Sequence, residues 1–252
     1  MAVVAFKWGE KQLMLMQNRE NWESCPVNVA DWDEERQILG GFYGQNGGTW
    51  CGISKRGRVA FLVDVMPFDN VSRCELIPLA FLKGALTPEE FGNSVVAERV
   101  MYNGLAFHLV VGDIKSNSMV YIAKRHAQEA HVEKNNVEPG IHILSLAGLD
   151  PAPQQFERLR QEFSAVVAGN EDIQPPHLEE FALRVMTNRD GNNPLFYDIT
   201  RAIPQRRTVE ARIGISSTTA LVVKPNGDGL FYKRALANSE WIDKRETFHI
   251  DD

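Results

Sequence analysis

Two short stretches carry residues whose types and spacing suggest chemistry. Asn18-Arg19-Glu20 closes the apolar run Leu13-Met14-Leu15-Met16. A strand ending in an amide, a guanidinium and a carboxylate sets donors, a fixed charge and an acceptor at one sheet edge. A guanidinium there offers a rigid fork for a carboxylate or phosphate. The bland alternative is a surface turn holding an Arg-Glu pair. The second stretch is Gly47-Gly48-Thr49-Trp50, at the end of a glycine-rich turn. Its backbone amides could cradle a phosphate, but the Lys-Ser/Thr of a P-loop is missing, and simple hairpin punctuation explains the glycines as well.

Short strands and two groups of helices must position these residues. Ala2 to Lys7 and Gln12 to Gln17 are two short apolar strands separated by Gly9-Glu10-Lys11, a spacing that predicts a hairpin. Residues 18 to 35 are interrupted by Asn, Pro and acidic residues and predict an irregular segment. A second hairpin is expected from Thr49 to Ser54 and Arg58 to Val65. A short helix is expected over Cys74 to Leu82. Another starts at Thr87-Pro88-Glu89-Glu90, which reads as a capping box, and runs to about Met101. Strands follow over Phe107 to Asp113, Ser118 to Lys124 and Gly140 to Ala147. Phe156, Leu159, Phe163 and Val166 recur at helical spacing, and Pro175-Pro176 opens a further helix. Three late strands cover Val209 to Ile215, Thr218 to Lys224 and Gly229 to Leu236; the tail after Trp241 reads as charged and loose. Hairpins mean antiparallel pairing, and amphipathic helices must cover sheet faces. The expected class is α+β, with two antiparallel sheets and helices outside, in a single domain over 1–252.

Composition narrows the function. The chain has 252 residues, 44% hydrophobic, and a formal net charge of -6. That balance argues against a general nucleic-acid binder, which would carry a basic face. No apolar run is long enough to span a bilayer, and the first residues do not read as a signal peptide. Three scattered cysteines, Cys25, Cys51 and Cys74, suggest a reducing compartment and no metal cluster.

The chain resembles the NRDE proteins, also called transport and Golgi organisation proteins. Asn18-Arg19-Glu20-Asn21 matches the signature with two changes. Pro26 stands where the family has a Pro in an Arg-Pro-Thr run, with Cys25 in place of that Arg. Gly47-Gly48-Thr49-Trp50-Cys51-Gly52-Ile53-Ser54 matches its Gly-Gly-Thr-Trp-x-Gly-x-Ser. Tyr102-Asn103-Gly104, Val110-Val111-Gly112-Asp113, Pro139-Gly140, Leu149-Asp150 and Arg212 with Ser216-Ser217-Thr218 match further family positions. The resemblance covers nearly the whole chain. It implies the αββα sandwich of the N-terminal-nucleophile hydrolases, in which a Cys at the chain start attacks an amide while an Arg and Asp tune it and Asn side chains form the oxyanion hole. This chain departs at those positions. Ala2 replaces the Cys, Glu20 the Asp, His108 an Asn, and Leu146 an Asn that often follows Ser. A methyl group is no nucleophile, so no catalytic residue is expected.

The family's non-enzymatic members imply haem handling, as an intracellular carrier or chaperone, in the cytoplasm and in association with mitochondria or Golgi. A role with acyl-coenzyme A or lipid metabolites is the alternative, and an amidohydrolase a further one. Haem needs an apolar slot, cations for its propionates and often an axial His or Cys. Cys25-Pro26 resembles the Cys-Pro motif of haem-regulated proteins, against a plain loop cysteine. His108 is either an iron ligand or a core histidine bonded to a backbone carbonyl. His126 and His131 read as loop residues, and Arg201, Arg206, Arg207 and Arg212 as a solvated face that could also meet propionates. The expected partner is an amphiphilic small molecule, with no nucleic acid and at most transient contact with organelle membranes. The expected site gathers Ala2, Asn18, Arg19, Glu20, Gly47, Gly48, Thr49, Trp50, His108 and Arg212, with Arg19 facing outward and Trp50 as a flat wall.

Overall fold

A computed structural model describes residues 2–20, 29–44, 46–64, 73–168, 175–186, 215–237 and 240–251. Cys25, Arg201, Arg206, Arg207 and Arg212 lie outside them, as does nearly all of the strand expected over Val209 to Ile215.

The strands are β1 (Ala2–Gly9), β2 (Gln12–Glu20), β3 (Asp31–Trp32), β4 (Ile38–Phe42), β5 (Thr49–Ser54), β6 (Arg58–Asp64), β7 (Phe107–Asp113), β8 (Ser118–Lys124), β9 (Glu133–Asn136), β10 (Gly140–Ser145), β11 (Gly148–Leu149), β12 (Ile215–Val223), β13 (Asp228–Ala237) and β14 (Glu240–His249). The helices are α1 (Leu76–Lys83), α2 (Pro88–Ala97), α3 (Pro153–Ala168) and α4 (Pro175–Met186). One sheet runs β11-β10-β1-β2-β12-β13-β14 and the other β3-β4-β5-β6-β7-β8-β9. Every pairing between these strands is antiparallel.

Strand alternation builds four layers. Val4, Phe6, Leu13, Leu15, Leu221 and Phe231 face Ile53, Phe61, Val63 and Val110 between the sheets, with Phe6 edge-on to Phe61 at 4.9 Å between ring centroids. The odd-and-even partners point the other way. Ala5, Met14, Met16 and Ala220 pack under α3 and α4, while Ala60, Leu62, Leu109 and Ile122 pack under α1 and α2. The order is therefore α, β, β, α, as expected.

Several elements differ from the sequence reading. Residues 18 to 20 continue β2 rather than starting a loop, because Asn18 and Arg19 pair with Thr218 and Ser217 on one side and Val3 and Ala2 on the other. The charged tail is strand β14, paired along its whole length with β13; its charges suit an edge strand with both faces largely solvated. The second helix ends at Ala97 and tightens into a 3-10 turn over Arg99–Tyr102. Its capping box forms: Glu90 N–H donates to the Thr87 hydroxyl at 3.2 Å, and Thr87 N–H donates to Glu90 Oε2 at 2.9 Å.

Candidate ligand site

The inner face of the first sheet changes character toward one end. Rows deep in the sheet are apolar. The last two are not. Val4, Gln17, Thr219 and Lys233 align across β1, β2, β12 and β13, and Ala2, Arg19, Ser217 and Ala235 align in the row beyond. Opposed residues in an antiparallel sheet share a face. These rows lie on the face of Leu15, Leu221 and Phe231, so a polar strip of two cations, two hydroxyls and an amide closes one end of the inter-sheet core. Gln17 ties this end to the second sheet by donating its amide to the Leu62 carbonyl at 3.1 Å.

Arg19 reaches Trp50, which belongs to the cluster on the helix side of the second sheet. The guanidinium carbon sits 3.1 Å from the indole ring centroid, and both residues are buried, at 5% and 3% exposure. The indole N–H donates to Asp64 Oδ1 at 3.1 Å, at the end of β6. Arg19 thus faces inward rather than outward. One face of Trp50 is spent holding the guanidinium flat, so Trp50 orients the cation instead of offering a bare wall. The apolar wall at this end comes from Ala2, Val63, Ala123 and Leu146.

His108 lies on the inner face of β7, 3% exposed. Its Nδ1 is 2.7 Å from the Tyr121 hydroxyl, and the two rings are parallel within 6°. Burial, aided by the Arg125 cation, pushes its pKa down to about 4. The imidazole is neutral and held by two neighbours, the Tyr121 hydroxyl and the Leu146 backbone, which fits the core-histidine alternative rather than a free ligand.

Other expected site residues are placed elsewhere. Asn18 points to the helix face, where its amide donates to the Met186 carbonyl of α4 and its Oδ1 accepts from the Thr218 hydroxyl at 3.0 Å. Glu20 ends β2 beside Ile215. The glycine turn is scaffold. A Cβ at Gly48 would run into the Glu75 side chain, Asn46 donates to Glu75 Oε1 at 2.7 Å, and Thr49 N–H donates to the Glu75 carbonyl at 2.9 Å. Thr49 Oγ1 donates within its own sheet, to the Gly41 and Cys51 carbonyls at 2.9 and 3.0 Å. A carboxylate packed on the turn repels phosphate, so the phosphate-cradle reading of Gly47, Gly48 and Thr49 fails on electrostatics. His126 and His131 are exposed loop residues. A hollow of about 460 Å³ opens at the far end of the sheet, beside Lys7, Glu10, Leu13 and Lys224, away from all of these groups.

The described cysteines are poor nucleophiles. Burial pushes the Cys51 thiol up to about 12, and Cys74 is fully enclosed, with its Sγ 3.9 Å from the Ala106 carbonyl oxygen. Lys233, unnoticed in the sequence, was legible there: alternation places it with Phe231 and Ala235 on the inner face. Burial, and after it the Arg19 cation, pushes its amine down to about 7.

The sequence pattern of Transport and Golgi organisation 2 matches residues 1–238. The chain belongs to that family. It is similar to the bovine (Bos taurus) Transport and Golgi organization protein 2 homolog, 28% identical over 77% of this chain and 74% of that one. The mouse (Mus musculus) homolog is 25% identical over 95% of both chains. Among solved structures, a Caenorhabditis elegans N-acylethanolamine-hydrolyzing acid amidase ortholog matches with TM-score 0.48 and 12% identity, over 89% of this chain and 93% of that one. No described helix of this Transport and Golgi organisation 2 family member is long and apolar enough to cross a membrane.

Proposed function

We propose that this chain is a non-catalytic intracellular carrier of an anionic amphiphile, with haem as the first candidate cargo. One observation carries the reading: a buried guanidinium, held flat by Trp50, at the polar end of an otherwise apolar inter-sheet core. One fixed cation beside apolar surface is what a body with an acidic rim requires. Arg19 would meet a propionate, and Ala2, Val63, Ala123 and Leu146 would meet the macrocycle. The Ala2 methyl beside Arg19 has no atom to attack a carbonyl, which favours holding over turnover. His108 enters as an iron ligand only if it gives up one of its bonds, to Tyr121 or to the Leu146 backbone. Acyl-coenzyme A or a related lipid metabolite is the second reading, since the same cation suits its phosphates or carboxyl. Service to mitochondria or Golgi is part of the first reading.

Titration of haemin and of palmitoyl-coenzyme A into one preparation separates these readings, because only haemin moves the Soret band. Arg19→Ala should weaken binding by about 1.5–3 kcal/mol, the range for a hydrogen bond to a charged group. Unchanged affinity for both ligands in a well-folded Arg19→Ala protein refutes the site.

A further inference from the structure

Two lysines are buried in the described structure, and they are built differently. Lys124 is 1% exposed, and its ammonium donates to the carbonyls of Tyr102, Leu105 and Ala127 at 2.9, 3.2 and 2.8 Å. That is a structural tie, since three acceptors replace the lost water. Lys233 is 4% exposed, and its ammonium has no hydrogen-bond acceptor among the described residues. The ionisable groups acting on it are the Arg19 guanidinium from β2 and the Cys51 thiol from β5. Neither is an anion at neutral pH. An amine so placed lowers stability without returning anything to the fold, which is the signature of a group kept for a ligand.

Position points the same way. Lys233 stands two strands from Gln17 and one row behind Arg19, and Thr219 and Ser217 of β12 lie between them. Both hydroxyls are buried and share the inner face with the two cations. We propose that Lys233 and Arg19 form a two-cation subsite for the acidic group of the bound molecule, floored by the Ser217 and Thr219 hydroxyls. The ligand class is a carboxylate or phosphate carried on an apolar body. An oxyanion here gives Lys233 the acceptor it lacks and relieves the repulsion between two buried cations. The subsite rests on the carrier reading above and names a residue for it.

The test compares wild type, Lys233→Met and Lys233→Arg, each checked for folding by thermal melt. Haemin and palmitoyl-coenzyme A are titrated into each. Lys233→Met should bind roughly 10- to 150-fold more weakly, the loss of one charged hydrogen bond, while Lys233→Arg recovers most of the affinity. Wild-type affinity in Lys233→Met overturns the subsite and leaves the carrier reading standing. If wild type binds neither molecule, the carrier reading fails, and the subsite is judged by small anions. Acetate or inorganic phosphate should then shift the Lys233 13Cε resonance, identified as the signal missing in Lys233→Met. An unmoved resonance overturns the subsite on its own.

Discussion

Replacing Lys233 by Met should stabilise the empty protein, and by an amount that depends on pH in a defined way. The amine is pushed from an ordinary 10.5 down to about 7 in the fold. For a base whose folded pKa is lowered, the unfolded chain binds more protons between the two values, so stability rises with pH across that window. The destabilisation is full below the folded value and is gone above the unfolded one. At 1.36 kcal/mol per unit, the shift corresponds to about 4 kcal/mol at pH 7 and about 2 kcal/mol at pH 9. Met occupies a similar volume without the charge, so Lys233→Met should recover these amounts. Urea unfolding of both proteins by circular dichroism, from pH 6 to 9, reads the difference directly, because groups common to both cancel. A Lys233→Met protein no more stable than wild type at pH 7 refutes the reasoning. So does a gap that fails to narrow by pH 9.

Other outcomes follow from the same geometry. Binding of an anionic ligand should raise the Lys233 pKa and draw in protons near pH 7 to 8, so affinity should grow as pH falls from 9 to 7; calorimetry in buffers of different ionisation enthalpy counts the protons. His108, with its pKa pushed down from 6.5 to about 4, contributes stability that is complete above 6.5 and is lost as pH falls toward 4, by about 3 kcal/mol in all; His108→Gln should flatten that acid limb in melts between pH 4 and 7. Trp50→Ala should cost about 3–5 kcal/mol in unfolding free energy. Gly48→Ala should destabilise through its clash with Glu75, seen as a lowered melting temperature.

Much of the fold was legible because hairpins announce themselves locally. Gly9-Glu10-Lys11 and Asn226-Gly227 each separate two short apolar runs, and β7 and β8 have the expected bounds. What stayed hidden depends on partners distant in sequence. Strand β14 reads as a polar tail, since its charges make sense only once β13 lies along it. Asn18, Arg19 and Glu20 look like one cluster in sequence, yet neighbours on a strand face opposite ways, so Asn18 joins the helix layer and Arg19 the inner face. Gly47 and Gly48 look like a phosphate loop until Glu75, far along the chain, is seen packed upon them.

Buried charge separates scaffold from site in this protein. Arg58 is buried too, but it donates to the Phe81 carbonyl at 2.9 Å and the Leu86 carbonyl at 2.7 Å at the end of α1, and it stacks on the Phe81 ring. Its charge is consumed by the fold, as that of Lys124 is. Lys233 differs because no described group takes up its charge, and Arg19 beside it adds repulsion. A hydrophobic residue at 233 would make a better core, so stability does not account for the lysine. An anion arriving from outside does, and Ser217 and Thr219, in adjoining rows of β12 between the two cations, give it hydroxyls to rest on.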